Sequence, residues 1–109
     1  MTSFTKDEVE RYKGHSPLPH FGQEGQLKLK NARVLCVGCG GLAATAAIYL
    51  AAAGVGTLGL VDADLVSVSN LQRQILFGSA DVGLKKAEVL ARKIADLTPH
   101  VHLETHPVM

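Results

Sequence analysis

What this chain has little of sets the first limits. It carries only two cysteines, Cys36 and Cys39. One falls in an apolar run and the other in a glycine-rich turn, so no disulfide framework is indicated. A Cys-x-x-Cys pair gives a structural zinc ion half of its usual ligands, and no further cysteine is there to complete the set. Charge of one sign is not in excess. A formal net charge of +1 leaves no broad basic surface for nucleic acid. Long apolar runs are lacking too. The N-terminus is polar and does not read as a signal peptide. The segment from Leu42 to Ala53 is too short to span a membrane and is flanked by glycines. The expected address is therefore the cytoplasm. No internal repeat or low-complexity segment is found.

What is present is the material of one small globular domain. The chain has 109 residues, 47% hydrophobic and 19% charged. Its centre of organisation is the stretch from Arg33 to Asp62. An apolar run, Arg33 to Val37, leads into Gly38-Cys39-Gly40-Gly41-Leu42-Ala43. An Ala-rich, helix-length segment follows to Gly54, and a second apolar run, Thr57 to Val61, ends at Asp62. This order predicts a βαβ unit. Gly38, Gly40 and Ala43 fit the pattern G-x-G-x-x-G/A. The first glycine permits a tight turn, the second a close approach of backbone to phosphate, and the small third residue close helix packing. Free N–H groups at the helix start would face the anion. Asp62 stands where an acid that binds ribose hydroxyls is expected.

The flanking segments read as follows. Thr5 and Glu8 form a capping box, which predicts a short helix to about Lys13. Val9 and Tyr12, three apart, are expected to share its inner face. Gly14, Pro17 and Pro19 stop it. A second helix is expected over 23–30, with Leu27 and Leu29 against the body and Asn31 ending it. The apolar strand 33–37 reads as a central strand covered on both faces. The helix 41–53 is apolar nearly all round, so its far face requires a cover: further sequence or a second subunit. Ser69 is expected to cap a short helix over 70–76. A loop at 77–82 precedes an amphipathic helix from Leu84 to Leu97, with Ala87, Leu90, Ala91, Ile94 and Leu97 inward. Val101, Leu103 and Thr105 alternate with His102, Glu104 and His106 as a third strand. His100, His102 and His106 are expected to be solvated. Cys36 reads as a buried small hydrophobe, and Cys39 as exposed in the turn without a catalytic role.

Several runs together carry a family resemblance. These are Ala51 to Asp62, Ser69-Asn70-Leu71-Gln72-Arg73-Gln74, Val82-Gly83 with Lys86, and Thr98-Pro99-His100. The chain from Arg11 onward resembles the adenylating domain of the MoeB/ThiF/HesA family, bacterial relatives of ubiquitin-activating enzymes. The resemblance implies a Rossmann-like α/β fold: a helical segment over 1–32, then the N-terminal half of an ATP-binding domain over 33–109. Its parallel sheet would have about three strands. It implies ATP-dependent adenylation of the C-terminal carboxylate of a ubiquitin-like sulfur-carrier protein in molybdopterin- or thiamin-type sulfur transfer, with Mg2+ and a homodimeric enzyme. Gly38, Gly40 and Gly41 would line the phosphates. Asp62 would bind the ribose. Asn70, Arg73 and Lys86 would contact the phosphates, with Gln74 in support, and Arg73 and Lys86 as the catalytic cations. Asp64 would either assist a metal or cap its loop. Gln72 reads as structural.

Three departures accompany the resemblance. The arginine that in the family reaches the partner subunit's ATP site is Gly14 here, although Arg11 remains. Leu42-Ala43-Ala44 replaces the usual Leu-Gly-Ser or Leu-Gly-Cys. The family's magnesium-binding aspartate, zinc-binding cysteine pairs, reactive cysteine and carrier-binding surface would lie beyond Met109. Two other readings stand beside adenylation. One is a truncated or non-catalytic module that pairs with a complete homologue. The other is a dinucleotide oxidoreductase, which shares the glycine turn but gives no reason for the 70–74 run.

Overall fold

The computed structural model describes residues 4–15, 21–71 and 77–106. Its elements run α1 (Lys6–Arg11), α2 (Gly22–Lys30), β1 (Arg33–Val37), α3 (Gly41–Ala53), β2 (Thr57–Val61), α4 (Lys86–Leu97) and β3 (His102–His106). Single 3-10 turns span Val68–Asn70 and Ser79–Asp81. The three strands are parallel, in the order β1-β2-β3. Val34 and Cys36 align with Leu58 and Leu60, and Leu58 aligns with Leu103. These residues share one face of the sheet. There they form the core with Ala44, Ala47 and Ala51 of α3 and Ala87, Leu90 and Ile94 of α4. The expected α/β architecture is therefore present: a parallel three-stranded sheet with two short N-terminal helices. No helix among the described residues is long and apolar enough to cross a membrane.

Among the described residues nothing covers the opposite face. Leu35 and Val37 remain 61% and 75% exposed. Leu35 leans over Gly59, the position in β2 where a Cβ would collide with it. A shallow hollow lined by Arg33, Leu35, Gly59, Glu104 and His106 remains under the middle of the sheet, with no candidate site residue in its wall. The expectation of a central strand covered on both faces is thus corrected, because β1 is an edge strand here. Periodicity reports the polarity of a strand but not its place in the sheet order. Helix α3 buries Ala44, Ala47 and Ala51 and leaves Leu42 90% exposed, with Tyr49 also outside. Its far face has no cover within the described residues.

The N-terminal helices close the lower end, where the strands begin. The capping box of α1 is formed in both directions, between Thr5 and Glu8. Glu8, not Val9, turns inward with Tyr12. Glu8 is buried and accepts a hydrogen bond from Lys30 Nζ at 2.8 Å, while Val9 is 55% exposed. The capping carboxylate is drawn under by a lysine 22 residues away, which no local pattern shows. Tyr12 packs on Gly54, and Gln26 Nε2 donates to the Ala53 carbonyl at 2.7 Å. Leu29 joins the core as expected, and Leu27 is half-buried. Arg11 donates to the Leu97 carbonyl at the end of α4 (2.9 Å), and His100 bonds to Asp7. His100 is therefore a half-buried clasp residue rather than a solvated one. His102 and His106 are exposed, as expected.

Two helix boundaries also move. The first helical residue of α4 is Lys86, two residues beyond the expected start at Leu84, and Leu97 faces solvent while Val89 is buried. The turn at 68–70 follows Ser67 rather than Ser69. Most of the short helix expected over 70–76 lies outside the described residues.

Candidate functional site

The upper end of the sheet, where the strands finish, brings three segments together. The glycine turn comes off β1. The Gly38 N–H donates to the Val61 carbonyl at 2.6 Å, which holds the turn against the end of β2. Gly38 and Gly41 have φ of +93° and +52°, values that side chains rarely adopt. A Cβ at either would meet nothing within 4 Å. The conformation demands glycine, and the space above it is open. A phosphate needs both features, so the turn fits a nucleotide. Gly40 is the N-cap of α3 and offers no side chain there. The first amides of that helix therefore keep their positive end toward the opening.

Asp62 ends β2 beside the turn. Its Oδ2 accepts the Cys39 N–H at 2.8 Å, and its Oδ1 accepts the Asp64 N–H at 2.7 Å. Asp64 is exposed. Its carbonyl accepts the Lys86 N–H at 3.0 Å. Both of these bonds are made by the Asp64 backbone, and its carboxylate stays open to solvent. No cluster of three or more His, Cys, Asp or Glu side chains that could hold a metal ion occurs among the described residues.

Lys86 is the most informative side chain. It is only 5% exposed, yet its one ionic partner among the described residues, Asp64 Oδ2, stands 3.9 Å away. An ammonium taken out of water is costly unless well paired. A lysine this buried and this loosely paired suits contact with an anion. Its position follows from two backbone links. Val66 N–H donates to Leu84 O and Gly83 N–H to Val66 O, both at 2.8 Å, so residues 64–66 lie along 83–86. Asp81 then hooks this loop onto α4: it accepts from Gly78 N–H at 2.7 Å and from Arg92 at 2.9 Å. The Gly78 amide, first among these partners, holds the Asp81 carboxyl below the usual range despite burial. Sequence reasoning passed over Asp81. The signal available was an acid in the loop before α4 and two basic residues, Arg92 and Lys93, about two turns into that helix.

Cys39 corrects an expectation of exposure. It is fully buried, and burial first, then Asp62 and Cys36, push its thiol up to about 12, against an opposing pull from Lys86. It is a packing residue, not a nucleophile. Cys36 is half-buried against the core, its thiol pushed up by burial. Arg73 and Gln74, like Gln72, lie outside the described residues. Asn70 sits in the 3-10 turn at Val68–Asn70. The structure thus brings together Gly38, Gly40, Gly41, Asp62, Asp64 and Lys86. Arg11 is at the other end of the sheet.

A family model described as ThiF family matches residues 12–109. The chain is 49% identical over 105 residues to a probable adenylyltransferase/sulfurtransferase MoeZ of Mycobacterium tuberculosis, covering 96% of this chain and 27% of that protein. It therefore spans about a quarter of the length of such curated relatives. Among solved structures, Escherichia coli MccB with ATP superposes with a TM-score of 0.75 at 37% identity, over 77% of this chain and 25% of that one. The Escherichia coli tRNA N6-threonylcarbamoyladenosine dehydratase TcdA does so with a TM-score of 0.88 at 32% identity, over 96% and 43%.

Proposed function

The chain belongs to the ThiF family, and on that premise we propose that it supplies the ATP-phosphate half of an enzyme that adenylates the C-terminal carboxylate of a ubiquitin-like sulfur-carrier protein. The observation that carries the reading is the buried, loosely paired Lys86 set beside an open glycine turn. In this reaction a carboxylate oxygen of the carrier attacks the α-phosphorus, the bond to the bridging oxygen of the β-phosphate breaks, and pyrophosphate leaves. Negative charge grows on the phosphate oxygens. Lys86 and Arg73 offset it, and the backbone of Gly38, Gly40 and Gly41 receives the phosphates. Asn70 and Gln74 assist, and Asp62 takes the ribose hydroxyls with its remaining lone pairs. Mg2+ would arrive on the phosphates, with the exposed Asp64 the carboxylate at hand.

We also place the enzyme in the cytoplasm as a homodimer. What supports the dimer is the uncovered apolar face of α3 around Leu42 and Tyr49. Leu42→Glu should then shift a sedimenting dimer to monomer.

Carrier-dependent exchange of labelled pyrophosphate into ATP tests the activity. Exchange that needs the carrier's free C-terminal carboxylate supports the reading. A second reading draws on the bare sheet face and on Gly14: a module that acts only when paired with a complete homologue. Exchange that appears only on adding such a homologue would favour it.

A further inference from the structure

Both carboxylate oxygens of Asp62 are committed within the chain. One accepts the Cys39 N–H of the glycine turn, the other the Asp64 N–H. Asp64 carries the link onward, through its carbonyl to the Lys86 N–H and through its carboxylate toward Lys86 Nζ. The backbone N–H of Asp62 donates to the His106 carbonyl at 3.2 Å, which registers the same residue to β3. A single side chain therefore ties the glycine turn to the start of α4. We propose that Asp62 is a positioning residue: its carboxylate fixes the glycine turn relative to Lys86 and so shapes the phosphate pocket, whether or not a sugar is bound. The proposal rests on the nucleotide reading above and deepens it.

A carboxylate has about four lone-pair sites, so two remain for ribose hydroxyls. The two in use serve a different end, and they carry an electrostatic penalty. An anion stands next to a site for anions. The Cys39 thiol reports the arrangement, since Asp62 raises it and Lys86 lowers it. By Coulomb's law alone the Asp62 charge repels phosphate. It can favour phosphate binding only through what it holds in place.

That conflict of signs makes the proposal testable with inorganic tripolyphosphate, a probe with no sugar. The full chain and Asp62→Ala are titrated with tripolyphosphate and with ATP, each under conditions where the protein is shown to be folded. Removing the charge without disturbing the pocket should tighten tripolyphosphate. A role confined to the ribose should leave it unchanged or tighter. Positioning predicts that it weakens by roughly ten-fold or more, the scale of a lost charge-assisted contact. Hydrogen exchange at the Cys39 and Lys86 amides should quicken in the same variant. A residue that only stabilises the fold would lower the urea midpoint without changing the affinity of the folded population. Asp62→Asn serves where alanine does not fold. Its amide keeps one acceptor but turns a donor toward the other N–H, so it too must weaken tripolyphosphate. Folded variants that bind tripolyphosphate as well as the unaltered chain, or better, overturn the proposal. So does an unaltered chain that binds ATP but no tripolyphosphate. A folded chain that binds neither overturns the nucleotide reading itself.

Discussion

The two faces of the sheet differ more than any other two regions of this molecule. Beneath α3 and α4, Leu58, Leu60, Leu90 and Ile94 are sealed from water. On the other side Leu35 and Val37 lie open, on a strand whose outer edge has no partner among the described residues. The chain has one complete layer contact where a doubly wound sheet would have two. The glycine turn, Asp62 and Lys86 all hang from elements anchored on the covered side. The lesson is that the candidate site can be formed while one face of the sheet has no cover among the described residues.

Substitutions should separate the faces most sharply. Leu90→Ala removes a fully buried side chain from the covered face and should cost about 2–5 kcal/mol. Leu35→Ala, on the bare face, should stay within about 0.5 kcal/mol. Urea unfolding of the two variants measures the difference, and equal losses would erase the distinction. A smaller effect is expected from Gly56→Ala, whose new Cβ would overlap the Lys30 carbonyl where α2 meets the sheet. Crowding of this kind costs about 1–3 kcal/mol. Hydrogen exchange should then grade the strands themselves. Amides of β2, flanked on both sides, should be the slowest, and the outward-pointing amides of β1 should exchange early.

Acid should act on the clasps rather than on either face. The Gly78 amide chiefly holds the Asp81 carboxyl low, and His100 and Arg11 hold Asp7 low. Burial pushes Glu8 up, but Lys30 and the Thr5 amide outweigh it and leave it lowered. A carboxyl with a depressed folded value contributes stability that is present above its unfolded value and lost as pH falls through the folded one. Stability should therefore be level above about pH 5 and decline below about pH 4. Asp81→Asn should soften that decline. The smallest effect concerns thiols: Cys39, pushed up to about 12 and sealed, should resist iodoacetamide at pH 8 until the chain unfolds.

Much of the upper end was legible because it is local. The glycine turn, the helix after it and Asp62 lie within one βαβ unit, where each residue's role follows from its near neighbours. The capping box of Thr5 and Glu8 and the strand 33–37 were legible for the same reason. What escaped depended on distant partners. Glu8 replaced Val9 on the inner face because Lys30 reaches it from another helix. His100 is half-buried because Asp7 of α1 meets it. Cys39 was sealed because it packs into the core shared by α3, β2 and α4. The edge position of β1 depends on strand order, which the alternation of apolar residues does not encode.

Calorimetric titration of this chain with ATP and Mg2+, beside Arg73→Ala and Lys86→Ala, tests the central claim most directly. The account predicts saturable binding that weakens by roughly ten-fold or more in each variant. A folded chain that gives no binding, or binding indifferent to both substitutions, would contradict it.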